Sequence, residues 1–222
     1  VIGTPDWPST PEQAIAIQKA LRGKLVIRDA HPPIHTICGV DVGYDIHDNR
    51  SHASLVLMAR DTLEVLATAQ AFLPTTFPYV TGLLAFREIP VILEALKQLP
   101  QTPDVLMVDG HGIAHPRRMG IAAHLGVLLD MPAFGVGKSR LTGIYPALGE
   151  NAGDMSPLTD KKTGESLGTV LRSKRKCNPL FISAGHRVSH ETALALTLET
   201  LRGYRLPEPT RLADKLSKVK HS

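Results

Sequence analysis

Three carboxylates stand where acids either interrupt an apolar pattern or meet a ligand-binding edge. Asp41 falls within a run of β-formers, CGVDVGYD; Asp109 ends the apolar run Val105 to Val108 and opens the loop GHGIAHPRRMG; Glu88 lies early in a helical stretch. Taken singly, Asp41 reads as a solvent-facing strand residue and Glu88 as an ordinary surface glutamate. Asp109 changes the reading, because the carboxyl end of an apolar strand followed by Gly110 and Gly112 is where open α/β sheets put their ligands. The three acids, one in the first hairpin, one on the following helix and one at the end of the next strand, can converge at one edge of a mixed sheet. Convergent carboxylates repel unless a cation lies between them, and hard oxygen ligands favour Mg²⁺, with Mn²⁺ as a substitute. The chemistry expected is metal-assisted phosphodiester hydrolysis, in which the metal generates a hydroxide and stabilises the leaving oxygen.

Three basic groups support that choice: Arg117 and Arg118 after Asp109, Lys138 and Arg140 after the next strand, and Lys174, Arg175 and Lys176. On loops near the same strand ends they would contact phosphates, giving affinity that falls with salt and reads no sequence. The turn PYVT presents Tyr79, an aromatic able to slide between bases and prop open a step; its other reading is a cap on the core edge. Glycines 82, 110, 112, 120 and 135 would let backbone approach a planar ligand, or serve simple turns. His111, His115, His124 and His186 do not form a zinc pattern, since Gly112 and Pro116 make HGIAH a loop. His115 reads better as a hydrogen-bonding site residue.

The elements that must position these residues follow from periodicity. Ser9 and Thr10 before Pro11 and Glu12 start a modestly amphipathic helix that ends near Gly23. Ile34 to Val42, Ala53 to Ala59 and Leu63 to Ala71 read as an antiparallel meander. The breaker-rich FLPTTFPYVTG, with exposed-looking aromatics, leads into a helix from Leu83 to Leu99. A strand at Asp104 to Val108, a helix at Ile121 to Leu129 and a strand at Ala133 to Val136 follow. Residues 147–176 read as an irregular basic insertion, before the strand-like PLFISAG and a helix around Glu191 to Arg202. A last helix starts after Pro209 with Thr210 as its cap. The fold class is α/β, a mixed sheet flanked by helices in a single domain spanning residues 1–222.

Composition bounds the class. The 222 residues carry 25 Lys+Arg against 21 Asp+Glu, a net charge of +4 that is mildly basic and far from histone-like. With 43% hydrophobic residues the chain can bury one sizeable core, which excludes disordered and collagen-like classes. No apolar run approaches the roughly 20 residues of a membrane span. Val1 to Thr10 lacks a basic start and an apolar signal core, and Cys38 and Cys177 have no metal spacing. The expectation is therefore a cytoplasmic protein with reduced thiols, monomeric by default.

The segments CGVDVGYD, FPYVTGLLAFRE, VDGHGIAHPRRMG, RSKRKCNPLFISAGHRVS and YRLPEPTRLAD closely resemble, in collinear order from about Ile15 to Asp214, those of endonuclease V, the deoxyinosine-directed repair nuclease. The resemblance implies a ribonuclease-H-like fold, with Asp41, Glu88 and Asp109 binding catalytic Mg²⁺ and Asp214 adding a further acid. It implies that Lys138 approaches the reacting phosphate and that FPYVT is a strand-separating wedge around Tyr79. A lesion pocket would be formed by Gly82, Leu84, Gly110, His115, Gly120, Ile121, Gly135 and Leu141. Thr81 stands where the family often has a second proline, a departure that bears on wedge stiffness and not on the chemistry. The implied product is a nick at the second phosphodiester bond 3′ to the lesion in deoxyinosine-containing DNA, leaving 3′-hydroxyl and 5′-phosphate ends.

Three competing readings remain at this stage. One is a nuclease of the same fold acting on inosine in RNA. The second is a non-catalytic nucleic-acid-binding module whose acids form salt bridges. The third is a small-molecule enzyme with a phosphate loop at Gly110 to Gly112, which lacks both the GxxxxGK[ST] and the dinucleotide patterns.

Overall fold

The computed structural model describes residues 7–219. Most of the segment read above for a signal sequence, Val1 to Asp6, therefore lies outside the described residues. The helix α1 (Pro11–Arg22) begins where its sequence signals put it: Thr10 accepts from the Gln13 amide, and Pro11 occupies the first turn, where no amide bond is lost. The meander follows as β1 (Thr36–Asp45), β2 (Arg50–Ala59) and β3 (Val65–Pro74), each strand longer than its apolar core alone suggests. Then come α2 (Ala85–Leu96), β4 (Val105–Val108), α3 (Ile121–Leu129) and β5 (Ala133–Gly137).

Residues 147–176 are not irregular. They contain β6 (Met155–Thr159) and β7 (Ser166–Leu171), an antiparallel hairpin that joins the sheet through β8 (Leu180–His186). The strands are short, and β6 carries Pro157, which a sheet tolerates at its edge. Its buried alternation, Ser156 and Leu158 against Leu167 and Val170, is visible only once the strands are paired. The chain closes with α4 (His190–Glu199) and α5 (Glu208–Ser217). Thr210 does not cap α5. Pro207 is the cap position, because Pro209 fits within a first helical turn, and the Thr210 hydroxyl donates to the Pro207 carbonyl.

All eight strands of the described residues form one mixed sheet in the order β3-β2-β1-β4-β5-β8-β7-β6. β1, β4 and β5 run parallel and the other pairings are antiparallel. Period-two alternation splits the core between the faces. Cys38, Val40, Leu106 and Val108 face Ile89, Ile92 and Leu125 of α2 and α3. Ile37, Val105, Met107, Phe134 and Ile182 face Ala193 and Leu196 of α4. On that second face α5 lies against β1 and β2 through Ala213 with Val56 and Met58. Gly39 permits this approach: a β-carbon there would stand 1.9 Å from the Pro209 carbonyl oxygen. Both cysteines are free thiols, Cys38 buried in the core. Among the described residues no helix is long and apolar enough to cross a membrane.

α2 carries Glu88 and contains a proline, Pro90. Proline has no amide hydrogen, so the carbonyl of Phe86, four residues earlier, loses its helical partner. The indole Nε1 of Trp7 donates to that carbonyl at 2.8 Å, and the Trp7 ring packs edge-on against Phe86. Phe77, which looked exposed in sequence, is buried against the same Phe86 ring. Trp7→Phe keeps most of the packing and removes the donor. We expect it to lower stability by about 1–3 kcal/mol in chemical denaturation, the cost of stranding a buried acceptor.

Candidate active site

The acids meet where β4 ends beside the middle of β1, just past the last pair of their parallel ladder, Val40 with Val108. β1 pairs in parallel with β4, and the Asp109 amide donates to the Val40 carbonyl, which sets Asp109 beside Asp41. Asp41 is only 6% exposed. α2 brings Glu88 to the same strand ends, and α5, seated on Gly39, brings Asp214. Lys138, one residue past β5, lies between two of the acids: its ammonium is 2.6 Å from Asp109 Oδ2 and 3.6 Å from Asp214 Oδ1. Asp214 also pairs with Lys218 at 2.9 Å. All five residues singled out for chemistry in the sequence are thus brought together.

Burial and crowding of like charge show in their protonation. Burial, then the neighbouring Asp109 carboxylate, raises Asp41 to about 7. Glu88 is raised to about 8, first by burial and then by Asp109 and Asp41, against the opposing Arg87. Burial works to lower the Lys138 pKa, but Asp109, Asp214 and Asp41 together carry it above its ordinary value. Glu88 is therefore no ordinary surface glutamate. As the side chains stand, no three acidic, histidine or cysteine groups among the described residues surround one point. The donors that crowd this sheet end are nonetheless carboxyl oxygens, a set that fits a hard divalent cation.

A cavity of about 260 Å³ adjoins the acids and shares Glu88 and Asp109 as wall. Of the eight pocket residues expected, Gly82, Leu84, Gly110, His115, Gly120, Ile121 and Leu141 line it. Gly135 does not: it sits in β5 beneath the loop, its α-carbon against the backbone of residues 110–112. Ala85, Met119 and Ser139 also line the cavity and were missed in the sequence, each a chain neighbour of a residue named there, while Thr81, His111 and Arg140 were named there for other roles. Tyr79 is on a loop, two residues before the cavity-lining Thr81, and is 72% exposed, so it is not a core cap. The Arg87 guanidinium lies 5.5 Å from its ring centre and 4.4 Å from that of Tyr44.

The basic groups divide. Lys174, Arg175 and Lys176 are exposed, and Arg140 lines the cavity. Arg118 is taken by Asp160 at 2.8 Å and Glu165 at 2.9 Å, tying the loop after β4 to the β6–β7 hairpin, so it is not available to phosphate. His124 belongs to the Trp7 and Phe86 aromatic cluster, and His186 pairs with Asp130. Neither is near the acids.

A family model of endonuclease V matches residues 19–215. The chain belongs to the endonuclease V family. It is 49% identical to endonuclease V of Nostoc punctiforme over 215 residues, covering 96% of each chain. It is also similar to the crystal structure of endonuclease V from Streptomyces avermitilis, with a TM-score of 0.88, 44% identity, and 95% and 92% of the two chains covered. A third similar structure, Ciona intestinalis endonuclease V, was solved in complex with a 23mer DNA containing an inosine followed by a ribo-adenosine; its TM-score is 0.82 at 28% identity, covering 94% of this chain and 97% of that one. The ribonuclease-H-like fold expected from the resemblance is the fold observed.

The raised carboxyl pKa values have a consequence for stability. Unfolded Asp41 and Glu88 ionise near pH 4, whereas the folded, metal-free protein keeps their protons to about pH 7 and 8. Between these limits the folded state binds more protons than the unfolded one, so metal-free stability falls as pH rises through that window. Asp41→Asn removes the acid while keeping its shape. In EDTA it should stabilise the protein by roughly 1–2 kcal/mol at pH 8 and far less at pH 4, read by denaturation at both pH values.

Proposed function

We propose that this chain is a DNA repair endonuclease that recognises deoxyinosine and hydrolyses the second phosphodiester bond on its 3′ side. The observation that carries the reading is the junction of two features: a cavity of single-base size and a cluster of acids that share Glu88 and Asp109. The inosine-containing DNA in the Ciona intestinalis complex supports the substrate class. Separate pockets for a rotated base and for a phosphate explain why the bond cut is not one of the lesion's own. Hypoxanthine pairs weakly with its partner, so extruding it costs less than extruding a normal base.

In this reading Asp41, Glu88 and Asp109 hold Mg²⁺, with Mn²⁺ as a substitute, and when bound the cation lowers the pKa of water and neutralises charge on the phosphate. Lys138, kept protonated by its acidic neighbours, would donate toward the phosphate. Asp214 orients Lys138 from the opposite side. Gly82, Leu84, Gly110, His115, Gly120, Ile121 and Leu141 enclose the base, Gly135 supports their loop from below, and Tyr79 fills the gap the base leaves. The ribo-adenosine in the Ciona intestinalis complex favours one second reading, inosine-containing RNA as a further substrate, which the 2′-hydroxyl would distinguish.

The test is cleavage of an end-labelled duplex with one deoxyinosine, in Mg²⁺ and in EDTA, beside an undamaged duplex and an RNA version. A Mg²⁺-dependent nick one bond beyond the inosine's 3′ phosphate is expected; cutting of RNA alone would replace the DNA reading. Asp41→Ala and Asp109→Ala should each lower turnover by about a thousandfold or more while inosine DNA is still bound. Loss of the circular dichroism spectrum would show instead that these acids are structural. Tyr79→Ala should lower cleavage of duplex lesions by about tenfold or more and spare single strands, and equal losses would count against wedging.

A further inference from the structure

Gln18 is a polar side chain with no exposed surface on α1, the helix whose Ala14 is buried with Phe77, Leu83 and Phe86. A buried primary amide is costly unless its donors and acceptor are used. Its Nε2 donates to the Gly82 carbonyl at 2.9 Å, and its Oε1 accepts from Arg117 Nε at 2.5 Å. The same Gly82 oxygen accepts from His115 Nε2 at 2.8 Å and from Arg117 Nη2 at 3.2 Å. His115 is held neutral, its pKa lowered to about 4 chiefly by burial, and its Nδ1 accepts from the Arg117 amide at 3.0 Å. Its proton therefore sits on Nε2, as a donor to Gly82. One carbonyl oxygen thus accepts from three side chains that come from two segments distant in the chain, Gln18 on α1 and His115 with Arg117 on the loop after β4.

That carbonyl closes the tyrosine loop. At one end Phe77 is anchored on Phe86; at the other Gly82 turns the chain with φ of +83°, a conformation few residues adopt. Between them Pro78, Tyr79 and Thr81 are exposed and make no ring-stiffened exit from the turn. A loop that must enter a duplex gains by being ordered beforehand, because ordering it on contact would subtract from binding. We propose that Gln18, with Arg117, is a positioning residue that fixes the height of Tyr79 over the base cavity through the Gly82 carbonyl, and so governs opening of duplex lesions and not the hydrolysis itself. The proposal rests on the wedge and pocket reading above.

The experiment compares kcat and KM of the wild type, Gln18→Met and Gln18→Glu on an inosine-containing duplex and on the same strand alone. A parallel series in EDTA follows the fluorescence of 2-aminopurine placed 3′ to the inosine, which rises when the step is unstacked. Gln18→Met removes both amide bonds at nearly constant volume; Gln18→Glu keeps the acceptor for Arg117 and sets an oxygen against the Gly82 carbonyl. Both should lower duplex kcat/KM by about tenfold or more, leave the single strand within about threefold, and weaken the 2-aminopurine signal. If Gln18→Met fails to fold, Arg117→Gln, whose side chain is partly exposed, should show the same duplex-selective loss. Equal losses on both substrates, or none on the duplex, would overturn the positioning role while the function stands. A wild-type protein that cleaves neither inosine substrate would overturn both.

Discussion

Repulsion among carboxylates at one end of a parallel strand pair is the constraint around which this molecule is arranged. Asp41 and Asp109 are forced together by the β1–β4 register, Glu88 and Asp214 arrive from helices on opposite faces of the sheet, and burial denies them the screening of water. Two devices keep such a cluster intact without a metal: protons retained on Asp41 and Glu88, and the Lys138 ammonium set between Asp109 and Asp214. Both are readily exchanged for a divalent cation. A site that resists its own folded state is a site prepared to bind charge, and the stability lost there is held by the two-sided core.

The surrounding architecture answers to the same need. Gly39 lets α5 press onto β1, and without that approach Asp214 would not reach Lys138. Pro90 breaks the hydrogen-bond ladder of the helix that bears Glu88, and Trp7 repairs it from outside. Arg118, held by Asp160 and Glu165, fastens the loop that follows Asp109 to a hairpin at the far edge of the sheet. In each case a distant segment restrains one of the elements that carries an acid. The cavity and the tyrosine loop adjoin this cluster through Glu88, Asp109 and Gly82, so one end of the sheet serves both recognition and chemistry.

Much of this was legible in the chain itself. Period-two and period-3.6 apolar patterns located the meander, α3 and the strands around Asp109, because burial on a sheet face imposes those periods whatever the partner. Thr10 and Pro11 announced α1 through local capping geometry. The motifs around Asp41, Glu88, Asp109, Lys138 and Asp214 identified four acids and a lysine, since residue type is a property of the sequence. What escaped was whatever depends on a partner far away: the β6–β7 hairpin, whose strands are too short and polar to declare themselves unpaired; the start of α5; the capture of Arg118; and the exclusion of Gly135 from the cavity wall.

By itself, then, the sequence determined the fold class, the family and the identities of the chemically competent residues, because these rest on local patterns and on side-chain chemistry. Only the tertiary structure decided which of them are protonated, which cations are free to meet a phosphate, and that a buried glutamine on the first helix holds the loop of Tyr79. Protonation depends on burial and on charges many residues away. A hydrogen bond between residues 18 and 82 leaves no trace in either segment read alone.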